Sequence, residues 1–448
     1  MKSKNTMKQN ALTIIAALVA LALSPPTWAA GPAAGDKPVA KSAVNLDIAL
    51  DHADGGYAEG EAVTWTIKLT GLKGGEPPPT PGYTLSLGNT EIASGTLNFV
   101  NGEAKVTATP KQPGVAVLLV NQATPWRANF RCGAAVDWQK IKSTVAEPAD
   151  FNEFWRKQLE ELAAVPMNPV LEKVADSGSP EVQLWKITLD GFRGTKIYGY
   201  LARPKGVDPR PAQLQVQYWG VYALNKSEVV NIAKQGWIAM NIMAHDLPCD
   251  RDAEFYKNPG INTYVNTGAE DPEKSYFLRM FLSCSRAVDY LAGRADWNQG
   301  ALLVQGGSQG GFQGIATAAL NRKVTALTVF VPAGGNLSGF LDHQPNGWPG
   351  WVYSKAQGAQ REAMIKTAGY YDANHFAKRI KCPVLVGTGL IDTIAKPETQ
   401  FTMFNNITAP KRMVLLPADE HISGHGAYKT VQAAWWQAAR AGDPLPLK

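Results

Sequence analysis

From Val44 onward, hydrophobic side chains fall on every second residue. Val44 to Leu50 alternates, and Glu61 to Leu72 does so more clearly, with Val63, Trp65, Ile67 and Leu69 on one face. A period of two is the spacing of a strand with one buried face. Gly74-Gly75 and the prolines up to Pro81 supply a turn. Tyr83 to Leu87, Gly95 to Val100, Glu103 to Thr109 and Gly114 to Val120 continue the pattern. Roughly seven short strands with no helical period predict a small immunoglobulin-like β-sandwich over residues 44–130.

After residue 130 the period changes. Phe151, Phe154, Trp155, Leu159 and Leu162 recur at helical spacing behind Pro148-Ala149-Asp150, a helix start with Asp150 as its cap. Leu184 to Leu189 and Lys196 to Ala202 read as an antiparallel pair. Strands then alternate with helices. The strands are Gln213 to Tyr218, Trp237 to Met243, Ala301 to Gln305, Val324 to Val331, Val384 to Gly387 and Arg412 to Leu416. The helices are Glu228 to Gln235, Tyr276 to Arg294, Gly310 to Leu320 and Tyr428 to Ala441. Repeated βα units predict a mostly parallel, doubly wound sheet over residues 131–448.

Before the sandwich the chain reads as an export signal. Lys2, Lys4 and Lys8 precede the apolar run Ala11 to Leu23, and Thr27-Trp28-Ala29-Ala30 offers a cleavage site. Residues 1–29 are expected to be removed, 30–43 to form a linker, and the product to be secreted or periplasmic without a stable membrane anchor. The net charge of the 448 residues is +6. Three of those charges are the leader lysines, so the rest is near +3 and carries no dense basic run, which argues against nucleic acid. Cys132, Cys249, Cys284 and Cys382 show no metal-ligand spacing. One disulfide or four buried thiols are both compatible with them.

The strand Ala301 to Gln305 runs into Gly306-Gly307-Ser308-Gln309-Gly310, and a helix follows. Strand, tight turn and helix around G-x-S-x-G form a nucleophile elbow, which makes Ser308 the candidate nucleophile of an α/β-hydrolase fold. In that fold the acid and the base follow in that order. Asp392 stands just past the strand Val384 to Gly387, with Glu398 as the alternative acid. His421 stands just past Arg412 to Leu416, with His425 as the alternative base. The oxyanion hole is expected from the N–H of Gln309 and from Val221, or else its neighbour Tyr222, after Trp219-Gly220. Such a triad needs no cofactor and no metal. His245 beside Asp246 is either a supporting pair or a structural histidine.

At these residues the chain resembles the acetyl xylan esterase and cephalosporin C deacetylase family. The resemblance rests on Gly306 to Gly311, on Arg279 and Arg286-Ala-Val-Asp289 in the preceding helix, on Gly389-Leu-Ile-Asp392, and on Phe151 to Trp155. Three places depart from it. Ala244-His245-Asp246 replaces Arg-Gly-Gln, Trp219-Gly220-Val221 replaces His-Gly-Tyr, and Ile422 rather than glutamate follows His421. The resemblance implies removal of O-acetyl groups from oligosaccharides or polysaccharides through an acetyl-enzyme. Trp219, Tyr222, Trp348 and Trp351 are the candidate sugar platforms. A peptidase or broad acyl hydrolase of the same fold is the alternative, and a non-catalytic glycan-binding protein is a third. The oligomeric state stays open.

Overall fold

The computed structural model describes residues 45–70, 80–121, 130–257, 263–351 and 356–448. The expected leader and linker lie outside these.

Eight strands build the N-terminal β-domain: β1 (Asn45–Leu50), β2 (Gly56–Tyr57), β3 (Val63–Thr70), β4 (Gly82–Leu87), β5 (Thr90–Thr96), β6 (Glu103–Ala108), β7 (Gly114–Val120) and β8 (Phe130–Val136). They form a three-stranded sheet, β1-β3-β6, and a five-stranded sheet, β2-β8-β7-β4-β5. The alternation read in β3 is real, since Val63, Trp65, Ile67 and Leu69 are all buried. They meet Leu85, Leu118, Val120 and Ala134 from the other sheet in one apolar core.

Two expectations need correction. The strand expected at Gly95 to Val100 lies earlier, at Thr90–Thr96, paired antiparallel with β4. It is a sheet edge, exposed along most of its length, so burial imposes no hydrophobic alternation on it. The expected boundary after residue 130 falls at the start of β8. That strand hydrogen-bonds along its whole length to β7 and belongs with the β-domain.

The second sheet has nine strands in the order β17-β16-β15-β14-β12-β13-β11-β10-β9. These are β9 (Val170–Lys173), β10 (Val182–Asp190), β11 (Lys196–Pro204), β12 (Arg210–Val216), β13 (Ile238–Ile242), β14 (Trp297–Gly307), β15 (Ala326–Phe330), β16 (Val384–Gly389) and β17 (Lys411–Leu416). From β13 to β17 every pairing is parallel. The central strands β13 and β16 are buried at every residue, as parallel strands covered on both faces must be. The chain steps from β12 to β13 on one side and later to β14 on the other. A crevice therefore opens at the carboxyl ends of β12 and β14, the usual place for a ligand in such sheets.

The helices are α1 (Phe151–Ala163), α2 (Lys226–Lys234), α3 (Tyr276–Ala292), α4 (Gln309–Leu320), α5 (Gly358–Tyr371), α6 (Ala373–Ala377), α7 (Pro397–Asn406) and α8 (Gly426–Ala441). α1 buries Phe151, Phe154, Trp155 and Leu162, as its stripe predicted. Asp150 does not cap it through its side chain; its carboxylate accepts instead from the Tyr370 hydroxyl at 2.6 Å. Arg286 of α3 donates to the carbonyls of Leu162 and Val165 and so ties α3 to the end of α1. Among the described residues, no helix is long and apolar enough to cross a membrane.

Candidate active site

Ser308 sits between β14 and α4 with φ +55° and ψ −123°. A β-carbon dislikes that conformation, so surrounding contacts must hold it. Its N–H donates to the Phe330 carbonyl at 3.0 Å, and its carbonyl accepts from the Ala333 N–H at 3.1 Å. The flanking glycines are required by space. A β-carbon at Gly306 would stand 2.4 Å from the Gly310 carbonyl, and one at Gly310 would stand 2.8 Å from the Val216 carbonyl. The turn thus closes only because strand and helix backbones touch there.

The residues proposed from chain order come together. His421 Nε2 lies 2.7 Å from Ser308 Oγ, and His421 Nδ1 lies 2.7 Å from Asp392 Oδ2. The Asp392 side chain is fully buried. Its other oxygen accepts from the backbone N–H groups of Ile394 (2.8 Å) and Ala395 (2.9 Å). A carboxylate so bonded can stay charged without solvent. It forces the neutral imidazole to carry its proton on Nδ1, leaving Nε2 free to accept the serine proton. Ser308, His421 and Asp392 therefore form the geometry needed for nucleophilic attack with general-base help.

The alternatives fall elsewhere. His425 does not reach Ser308; it bonds the Asp419 carboxylate at 3.1 Å and the His421 carbonyl at 3.3 Å. Its ring lies 5.4 Å from that of Phe330. It braces the loop that carries His421. Glu398 lies in the first turn of α7, and its carboxyl does not hydrogen-bond His421.

Gln309 is the first residue of α4, where a backbone N–H has no intrahelical acceptor. The helix dipole adds positive potential at that end. Val221 follows β12 across the crevice. Among the described residues, no hydrogen bond engages its N–H. The loop before it is tied down on several sides. Gln217 Nε2 donates to the Tyr222 carbonyl (3.2 Å), and Gln217 Oε1 accepts from the Ala244 N–H (2.9 Å). The Gly220 N–H donates to the Tyr264 hydroxyl (3.3 Å), which in turn donates to Gln309 Oε1.

His245 and Asp246 do not pair. Asp246 accepts from the Lys196 N–H at 2.9 Å, whereas His245 bonds the Gly220 carbonyl at 3.0 Å and the Tyr276 hydroxyl at 2.9 Å. Tyr264 was not legible as a site residue, because a lone tyrosine in a short 3-10 turn carries no pattern.

Of the expected sugar platforms, Trp219 and Trp348 are half-buried and keep part of their surface open. Tyr222 is half-buried as well, whereas the expectation for Trp351 is corrected. Tyr222 packs its ring on Tyr218, with centroids 4.9 Å apart, and buries its hydroxyl, which raises that group's pKa well above the usual phenol range. Trp351 is core: it packs on Phe277 and Tyr371 and donates to the Val265 carbonyl. All four cysteines are buried free thiols. Burial pushes each of them up to about 12, so none is a nucleophile at neutral pH.

Comparison with known proteins agrees with this architecture. The family model for acetyl xylan esterase matches residues 136–439. The acetyl esterase Axe7A of Xylanibacter ruminicola is 29% identical over 336 residues, covering 73% of this chain and 76% of that protein. The acetyl xylan esterase of Paenibacillus sp. R4 superposes with a TM-score of 0.60 at 24% identity, covering 68% of this chain and 98% of that one. Acetyl xylan esterase 1 from a Thermoanaerobacterium species gives 0.58 at 22%, covering 66% and 96%. These two share the fold over about two thirds of this chain. The chain belongs to the acetyl xylan esterase family and is a carboxylic ester hydrolase of the α/β-hydrolase fold.

Proposed function

We propose that this protein is an exported carbohydrate O-deacetylase in which Ser308, His421 and Asp392 act as nucleophile, base and orienting acid. The observation that supports this reading is the unbroken pair of 2.7 Å contacts from Ser308 Oγ through His421 to Asp392. Ser308 Oγ attacks the acetyl carbonyl while His421 Nε2 takes its proton. The resulting tetrahedral oxyanion is met by the N–H groups of Gln309 and Val221. Collapse breaks the ester C–O bond, and His421 returns the proton to the departing sugar alkoxide. Water, deprotonated by the same imidazole, then attacks the acetyl-serine and releases acetate. Each oxyanion donor is worth about 2.7–4 kcal/mol in the transition state. Trp219 and Trp348 supply aromatic faces for the C–H surface of a sugar.

Acetate release from acetylated xylo-oligosaccharides and p-nitrophenyl acetate, measured beside hydrolysis of peptide amides, tests the reading. Turnover of the esters and its loss in Ser308→Ala are expected. Peptide cleavage without acetate release would place the chain with acyl hydrolases of another specificity. Export is tested by sequencing the N-terminus of the protein recovered outside the cytoplasm, which should begin at Ala30 or Gly31.

A further inference from the structure

We infer that His245 is a positioning residue that aims the Val221 N–H at the reacting carbonyl oxygen by gripping the far side of the same peptide. The inference rests on the assignment of Ser308 and the oxyanion donors above and adds a residue to it.

In a planar trans peptide the C=O and the following N–H point in opposite directions. The Gly220–Val221 bond is trans, since the cis bond found among the described residues is Trp348–Pro349. His245 Nε2 holds the Gly220 carbonyl at 3.0 Å. The Val221 N–H is therefore turned directly away from the imidazole, and it makes no hydrogen bond of its own among the described residues. Rotating this peptide would lose the His245 bond and re-aim the donor in one movement. Gly220 makes such rotation easy: it has φ +112°, outside the range that other residues tolerate. A glycine beside an oxyanion donor needs an external hold.

The hold has a defined chemistry. A carbonyl only accepts, so the proton of the neutral imidazole sits on Nε2. Nδ1 is then an acceptor, and the Tyr276 hydroxyl donates to it at 2.9 Å. The Arg279 guanidinium stacks over the Tyr276 ring at 4.2 Å and fixes that donor. Burial, with Arg279 adding to it against the opposing Gly220 bond, pushes His245 down to about 4, so the ring is neutral at working pH. On the other side of Gly220, Tyr264 accepts from its N–H and donates to Gln309. Both peptides of Gly220 are thereby fastened, and the two oxyanion donors of the proposal, Val221 and Gln309, are joined through one glycine.

The test compares His245→Ala, His245→Gln and Tyr276→Phe on p-nitrophenyl acetate. Losing a whole oxyanion donor costs about 10²–10³ in kcat, so a mis-aimed one should cost about 10- to 100-fold. His245→Ala is expected to show that fall in kcat with KM within about twofold. It should also show a matching fall in the rate of inactivation by a phosphonate ester, which builds a tetrahedral oxyanion at Ser308. The Gln amide can donate from the Nε2 position, so His245→Gln should recover at least about tenfold of the loss. A merely structural histidine would lower the melting temperature in both variants and leave their kcat alike. Tyr276→Phe keeps every ring in place and removes only the donor to Nδ1; a drop of about threefold or more is expected, and it decides the matter if His245→Ala does not fold. Unchanged kcat in folded His245→Ala, or equal losses in Ala and Gln, overturns the inference. Ser308→Ala separates the two proposals. If Ser308→Ala keeps turnover, the assignment of the site is wrong. If it is dead while His245→Ala is fully active, only the role of His245 falls.

Discussion

The N–H of Gly133, in the β-domain, donates to the carbonyl of Pro417 at 2.8 Å. Pro417 opens the loop that carries His421. The same glycine lies against Leu390, which opens the loop that carries Asp392; a β-carbon at 133 would stand 2.6 Å from Leu390 Cβ. Val115 and Ala135 of the β-domain share a small apolar cluster with Leu390 and Phe401. The β-domain is thus packed onto the two loops that hold His421 and Asp392. Gly133→Ala should push Leu390 away. Overpacking of this kind costs about 1–3 kcal/mol, so a lower melting temperature is expected together with a fall in kcat. Thermal unfolding and steady-state kinetics on p-nitrophenyl acetate check it, and a stable variant with full kcat would show that the contact does not reach the triad.

Asp392→Asn keeps the shape of the acid and removes its charge. The amide can present N–H to His421 Nδ1, so the imidazole takes the tautomer that cannot accept from Ser308. A loss of roughly 10⁴ in kcat is the scale seen when a triad acid is treated this way. Rapid-quench measurement of acetyl-enzyme formation should place that loss in the acylation step at neutral pH.

His425 separates a brace from a base. His425→Phe retains a ring against Phe330 and loses the bonds to Asp419 and the His421 carbonyl. Each net hydrogen bond contributes about 0.5–1.5 kcal/mol, so the loss of both limits the fall in kcat to about 150-fold at most. His421→Phe should abolish turnover. Side-by-side kcat values distinguish them, and an inactive His425→Phe of normal stability would contradict the order seen here.

The buried imidazole of His245 sets a pH dependence of stability. Its pKa is pushed from 6.5 to about 4, so the unfolded chain binds this proton more readily than the folded one. Its share of stability is complete above pH 6.5 and is lost as pH falls from 6.5 towards 4. Denaturant unfolding across that window should show a shallower decline in His245→Gln than in the parent. Parallel declines would mean that His245 is not the titrating group.

Much of the architecture was legible because burial repeats along the chain. Trp65 and its neighbours in β3 and the stripe of α1 each announce one buried face. Where burial does not repeat, reading failed. β5 is an exposed edge with no apolar rhythm. α5 buries Met364 and Thr367 to Tyr371 only towards its end, so no stripe marks it. Trp351 differs from expectation for another reason: an aromatic residue in a loop looks the same whether its ring faces a crevice or the core.

Ser308, Asp392 and His421 stand out in the sequence because each follows the carboxyl end of a parallel strand. Parallel strands all deliver their ends to one edge of the sheet, so strand order alone places the three together. Only the tertiary structure decided between His421 and His425, four residues apart on one loop, because a distance of 2.7 Å to Ser308 depends on the turn and not on the spacing. The partners of Gly220 were likewise hidden. His245, Tyr264 and Tyr276 reach it and each other from a loop, a 3-10 turn and a helix that are distant in sequence, and packing alone decides that such groups meet.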